Sequence, residues 1–215
     1  ARIDEALALR GAGVRGRIVL LEGVFNAEQL AEAARQSLDI VVHEAEQLAL
    51  LEAAPQGQRF VVWLKIDTGM NRLGFRPSAA EAALRRLEAL GDRLLDLRLM
   101  THFASADERD SPQTRQQLAR FDVLTQGRRA ARSLANSAAI FAQPDSHADW
   151  IRPGLALLGF PAYVIDRQRR YRFLNEAYER YFDRRAADMV GRTVEEVFGP
   201  PPPDGRRTAL ARALA

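Results

Sequence analysis

The chain has no cysteine among its 215 residues. That removes disulfide frameworks and thiolate metal sites, and it accords with a reducing compartment. Lysine is nearly absent too: thirty arginines stand beside a single lysine, Lys65. No apolar run reaches the roughly 20 residues a membrane-spanning helix needs, and no signal-like segment opens the sequence. Charge of one sign is not concentrated either. The formal balance is +3, and no stripe of arginines interleaved with aromatics reads as a nucleic-acid surface. The doublets Arg85-Arg86, Arg128-Arg129 and Arg169-Arg170 read as solvated helix and turn positions. The expectation is a cytoplasmic protein with no metal, no membrane and no nucleic-acid partner. What is plentiful is apolar side chain, 47% of residues, enough for a sizeable core. The length is generous for one small domain and short of the ~250 residues of a complete (β/α)8 barrel. The sequence opens on Ala rather than Met in a helical pattern, which suggests a piece of a longer chain.

The one lysine lies in the stretch 61–75, VVWLKIDTGMNRLGF. An apolar strand-like run passes into a charged strand end, then into a loop carrying Asn71, Arg72 and Gly74, then into a helix. A parallel α/β barrel presents its working residues in this way. Similar units recur, with strand patterns at 17–23, 39–43, 97–103, 131–137 and 150–159 and helical patterns between them. Strict alternation with short connections predicts a parallel sheet with right-handed crossovers. Polar residues mark nearly every strand's C-terminal end: Glu22, His43, Lys65, Asp67, His102, Asn136, Ser137 and Arg152. In a barrel those ends converge on one face. A doubly wound sheet would instead carry a Gly-rich first turn, and neither GxGxxG nor GxxxxGK[ST] occurs. The fold class is therefore α/β, an incomplete (β/α)8 TIM barrel of about six of eight units, over residues 1–160.

After residue 160 the pattern changes. Two short strands at 162–166 and 171–175 read as an antiparallel hairpin. Asn175 then caps a helix carrying Ala177, Tyr178, Tyr181 and Phe182. Short helical pieces follow at 186–190 and 194–198, and four prolines at 200–203 precede a basic amphipathic tail. Residues 161–215 thus form a second, α+β unit.

Among the strand ends, Asn136-Ser137 joins a hydroxyl to the N–H groups of a helix start, a site suited to phosphate. Arg152-Pro153-Gly154-Leu155 offers a guanidinium and backbone N–H groups beside a glycine that lets an anion approach. His102 is flat and able to lie against an aromatic ring. Arg72 is a planar fork suited to a carboxylate. Together they suggest a pyridoxal phosphate enzyme acting on an amino acid. Singly, each also reads as a rim histidine, an N-cap or a turn, so the residues alone carry no more than a barrel with an anion site.

The segments LKIDTGMNRLGF, LMTHFASADE, SLANSAAIF and DWIRPGLALLG, with IVLLEGVF and VVH in order, closely resemble the barrel domain of the pyridoxal-phosphate-dependent alanine racemases. That resemblance implies an isomerase interconverting L- and D-alanine, for cell-wall supply or alanine catabolism, with pyridoxal 5'-phosphate as cofactor and a homodimer as assembly. By the same resemblance Lys65 matches a lysine that is often carbamylated, and Arg72 the arginine that binds the substrate carboxylate and a catalytic tyrosine. His102 matches the histidine packed on the pyridine ring. Asn136 and Ser137, with the backbone of Gly154 and Leu155, match cofactor contacts, those of Ser137, Gly154 and Leu155 to the phosphate. Arg152 matches the arginine at the pyridine nitrogen. The family's Schiff-base lysine lies on its first barrel strand and its tyrosine base in a C-terminal β-domain. Neither matched position occurs in these 215 residues, so this chain is expected not to racemise alanine.

AYVIDRQRRYRFLNEAYERYF and MVGRTVEEVFG resemble the N-terminal half of a PAS sensor domain. That implies an alternative, a PAS-type signalling protein that uses a degenerate barrel as scaffold.

Overall fold

The computed structural model describes residues 2–199 apart from 109, 158, 160 and 167, and not the side chains of 155 and 156. The prolines at 200–203, the tail behind them and Phe160 at the expected boundary lie outside the described residues.

Helix α1 (Ile3–Gly11) leads into six strands: β1 (Val19–Leu20), β2 (Asp39–Val42), β3 (Phe60–Lys65), β4 (Leu94–Met100), β5 (Ala131–Asn136) and β6 (Trp150–Arg152). The connecting helices are α2 (Ala27–Arg35), α3 (Ala45–Glu52), α4 (Pro77–Glu88), α5 (Pro112–Thr125) and α6 (Ser137–Ala142). All neighbours pair parallel in the order β1-β2-β3-β4-β5-β6. This is the expected strand–helix series, with each strand feeding the next through a helix.

The sheet curls into a half-barrel. Two strands separate β3 from β6, which in a flat sheet would put them about 14 Å apart. Yet the rings of Trp63 and Trp150, both on the concave face, meet edge to face with centroids 5.7 Å apart. The convex face packs the helices over the main core, where Leu20, Ile40, Val42, Val62, Leu64 and Leu99 are fully buried. Val19, Val41, Trp63 and Met100 form a second cluster inside the curve. There an apolar groove of about 380 Å³ runs past Leu21, Trp150 and Ile151.

Two strands are shorter than the hydrophobic pattern suggests. β6 ends at Arg152 because Pro153 donates no ladder bond, and the chain turns into a 3-10 helix over Gly154–Leu157. β1 ends after Leu20, where the Gly23 amide folds back to the Leu20 carbonyl at 3.0 Å. Gly23 has a φ of 76°, and a Cβ there would sit 2.4 Å from both the Val41 carbonyl and the Gln47 amide.

The hairpin after residue 160 is antiparallel, β7 (Tyr163–Ile165) against β8 (Tyr171–Leu174). Helices α7 (Glu176–Phe182), α8 (Ala186–Met189) and α9 (Val194–Phe198) close over it. Tyr171, Leu174, Tyr178, Met189 and Val197 make its own core, in which the Tyr171 and Tyr178 hydroxyls lie 2.8 Å apart. Asn175 caps α7 through the Tyr178 amide, as the sequence predicts. Phe141 at the end of α6 stacks on Phe173 of β8, with ring centroids 5.0 Å apart. Among the described residues, no helix is long and apolar enough to cross a membrane.

Candidate functional site

The C-terminal ends of β3 to β6 place Lys65, His102, Asn136 and Arg152 around one hollow. His102 follows β4 by two residues. One side of its ring faces Arg152, whose Nη2 lies 3.4 Å from Nδ1, and Asn136 Nδ2 lies 3.4 Å from Nε2 on the other. Asn136 is fixed in orientation, because its Oδ1 accepts the Ala139 amide at 3.0 Å as the N-cap of α6. Arg152 is anchored by Nη1 donation to Ser133 Oγ and by Nη2 donation to the carbonyls of Thr101 (2.6 Å) and Leu134 (3.1 Å). A guanidinium tied to backbone of two neighbouring strands has little freedom to leave the hollow.

Lys65 ends β3 and is buried. Burial, and after it the charges of Arg72 and Arg152, push its amine down to about 8, while Asp67 pulls the other way. Burial, then Arg152, Lys65 and Arg72, hold His102 down at about 4, so it is neutral at physiological pH. Burial brings Arg152 to about 10. Asp67 is the carboxylate whose charge acts on Lys65, and its Oδ1 already accepts the amides of Gly69, Met70 and Asn71 at 2.9–3.0 Å. The hollow therefore gathers positive charge that, after burial, lowers both Lys65 and His102, with Oδ1 of one carboxylate engaged in a turn. An anion would relieve that repulsion.

The expected residues differ in how closely they join. His102, Asn136 and Arg152 are linked by direct contacts, and Lys65 and Arg72 reach the group through their charges. Arg72 is exposed on the loop after β3. Ser137 is buried as the first residue of α6, and Gly154 opens the 3-10 helix after β6 with nothing among the described residues within 4 Å of where a Cβ would stand. The Leu155 backbone belongs to the same turn, and its side chain lies outside the described residues. Glu22 and His43 do not join the hollow. His43 is buried with Nε2 3.0 Å from the Glu22 carbonyl, and the Glu22 side chain is exposed.

Three features escaped the sequence reading. Ser133, one turn of ladder below Asn136, holds Arg152. Thr68 and Thr101 pair their hydroxyls at 2.8 Å beneath the strand ends. Gln117, on the buried face of α5, reaches the same place. A signal for Gln117 lies in the sequence: it occupies an inward position of a helical pattern where an apolar residue is expected.

Residues 1–161 match the family described as alanine racemase, N-terminal domain. The chain belongs to the alanine racemase family. It is 45% identical over 171 residues to an alanine racemase of Shewanella woodyi, covering 80% of this chain and 48% of that protein. It is 49% identical over 159 residues to one from an Azoarcus species, covering 74% and 45%. The crystal structure of the biosynthetic alanine racemase from Pseudomonas aeruginosa superposes with a TM-score of 0.70 at 44% identity, covering 74% of this chain and 44% of that one. This chain thus spans just under half the length of those relatives. Residues 155–215 match the PAS fold, in keeping with the hairpin unit and its helices.

Proposed function

We propose that residues 1–160 form the cofactor-holding part of a pyridoxal-phosphate-dependent alanine racemase, and that residues 161–215 form a separate PAS-like unit. The observation that carries this reading is the contact of His102 with both Arg152 and Asn136 at adjacent strand ends, where positive charge outweighs negative. A phosphate-bearing aromatic cofactor fits that donor set. The Ser137 hydroxyl and the amides of Gly154 and Leu155 would hold its phosphate, and the open space at Gly154 leaves room for it. His102, neutral and flat, would lie against the ring, and Arg152 would face the ring nitrogen.

Bound pyridoxal phosphate supplies an electron-accepting ring that acidifies an amino acid's Cα–H. The chain's own residues tune that chemistry. Arg152 keeps its proton even at about 10, so it donates to a ring nitrogen without protonating it. That leaves the ring a weaker electron sink and favours return of the proton to Cα over transamination. Arg72 would take the alanine carboxylate. Lys65 at about 8 is partly neutral near physiological pH, the state whose nitrogen adds carbon dioxide while one N–H proton leaves to solvent. The resulting carbamate would turn its repulsion with Arg72 into a charge-assisted pair.

Racemisation requires a base on each face of Cα. The matched lysine and tyrosine are not among these residues, so the 215-residue chain binds cofactor without converting alanine. The assembly proposed for the racemase reading is a cytoplasmic homodimer. Titration with pyridoxal phosphate, followed by quenching of Trp63 and Trp150 fluorescence, tests the binding. Saturable quenching lost in Arg152→Ala is the expected result, and a wild-type chain that shows none overturns the reading. Measurable L-to-D conversion by the purified chain would refute the predicted inactivity. The match of residues 155–215 to the PAS fold favours a second reading, a sensory protein built on a barrel scaffold, which predicts partner binding indifferent to Arg152→Ala.

A further inference from the structure

Two glutamines, one on each of two barrel helices, are almost wholly buried: Gln47 on α3 is 1% exposed and Gln117 on α5 is 0%. Each spends its amide on the C-terminal ends of two adjacent strands. Gln47 accepts the His43 amide after β2 at 2.9 Å and donates to the Glu22 carbonyl after β1 at 2.9 Å. Gln117 accepts the Ala104 amide at 3.0 Å and donates to the His102 carbonyl at 2.9 Å, both after β4. Its second N–H points to Thr68 Oγ1 after β3 at 3.4 Å. A primary amide has one acceptor and two donors, and Gln117 uses all three.

Each glutamine also sits against a glycine in a strand-end turn. Gly23, with φ 76°, meets Gln47, and Gly69, with φ 142°, would place a Cβ 3.4 Å from Gln117 Cγ. On α5 the grip widens. Gln113 donates to the Gly69 carbonyl at 3.1 Å and Arg120 to the Thr68 carbonyl at 3.1 Å, one helical face at positions i, i+4 and i+7. The buried face of this helix is Thr114, Gln117, Phe121 and Thr125, mostly polar where packing alone would place apolar side chains. Burying an amide costs free energy unless every group is met, so such a face is kept for what it holds.

We infer that Gln117 is a positioning residue for the hollow: it fixes the His102 backbone against the turn that leads to Arg72, so that ring contact and carboxylate fork keep one spacing. Gln47 is the same device at β1 and β2, away from the hollow. The inference rests on the cofactor reading above for its consequence in binding, and on geometry alone for its effect on His102.

The test compares Gln117→Leu, Gln117→Glu and Gln47→Leu with the wild type. Pyridoxal phosphate affinity is read by fluorescence titration, the His102 imidazole titration by NMR, and the melting temperature by circular dichroism. Both leucine variants are expected to lower the melting temperature. Only Gln117→Leu should weaken pyridoxal phosphate binding, by about tenfold or more, and raise the His102 pKa toward 6.5. Gln117→Glu, when protonated, keeps one donor and one acceptor. It should bind as the wild type does at pH 5.5 and more weakly at pH 8, a pH profile that loss of packing does not produce. Equal cofactor affinity and equal His102 titration in Gln117→Leu and Gln47→Leu would overturn the inference. If the wild type binds no pyridoxal phosphate, the cofactor reading falls and the His102 titration alone decides this one. If Gln117→Leu does not fold, Gln117→Glu carries the same comparison across pH.

Discussion

The two ends of the curled sheet treat charge in opposite ways. Low in the concave face, Asp39 is 2% exposed and accepts from Arg17 at 2.8 Å and from Trp63 Nε1 at 2.9 Å, with Arg98 at 3.6 Å. Arg98 also pairs with Asp96 at 2.7 Å and lies between the rings of Trp63 and Trp150, about 5 Å from each centroid. Cations there lie against carboxylates and aromatic faces, although Arg98 Nη1 makes no hydrogen bond among the described residues. At the other rim, Lys65, Arg72 and Arg152 face one another with Asp67 committed to a turn. Matched charges leave little field behind them, whereas the unmatched rim keeps a positive field that an anion would relieve.

Breaking the matched end should have the largest effect. Asp39→Ala removes the carboxylate that Arg17 and Trp63 Nε1 bond and leaves the buried Arg98 with Asp96 alone, and is expected to cost about 3–5 kcal/mol in urea unfolding. A loss below 1 kcal/mol would mean the plug is no more than surface pairing. The unmatched end predicts acid sensitivity. The folded pKa of His102 lies below its unfolded value, so the unfolded chain binds the proton first, and stability falls as pH drops from 6.5 toward 4. The expected loss is on the order of 3 kcal/mol, and His102→Gln should flatten that part of the profile.

Lys65→Met sharpens the contrast, because its sign is reversed. Removing a buried cation that is held down to about 8 should stabilise the chain by about 1–2 kcal/mol at pH 7. The wild type should gain stability as pH rises from 8 to 10.5, where only the unfolded lysine is protonated, and the variant should lack that gain. The smallest effect lies outside both ends. Tyr171→Phe removes one buried hydroxyl pair in the hairpin unit and should cost about 1 kcal/mol.

The β/α alternation was legible because each strand is an apolar run and each helix an amphipathic one. Asn136 and Asn175 were legible as caps, and both accept the amide three residues on. The rim residues stood out because polar side chains at strand ends have few structural uses. The plug of Asp39, Trp63 and Arg98 did not, since it depends on how far the sheet curls, and curl leaves no local pattern. The arginine doublets were read as solvated, yet Arg86 binds Glu52 and Arg128 bridges Glu81 and Glu88. Such partners lie up to 47 residues away, beyond any helical spacing. Gln47 and Gln117 are easily passed over because glutamine is ordinary on helices, although Gln117 stands at an inward position of its helical pattern where an apolar residue is expected.

The near-absence of lysine has a practical side. Apart from the terminal amine, an amine-directed reagent finds one target in this chain, and that target sits at the rim of the hollow. A mass tag on Lys65, slowed when an anion occupies the rim, would make the chain report its own occupancy without any engineered label.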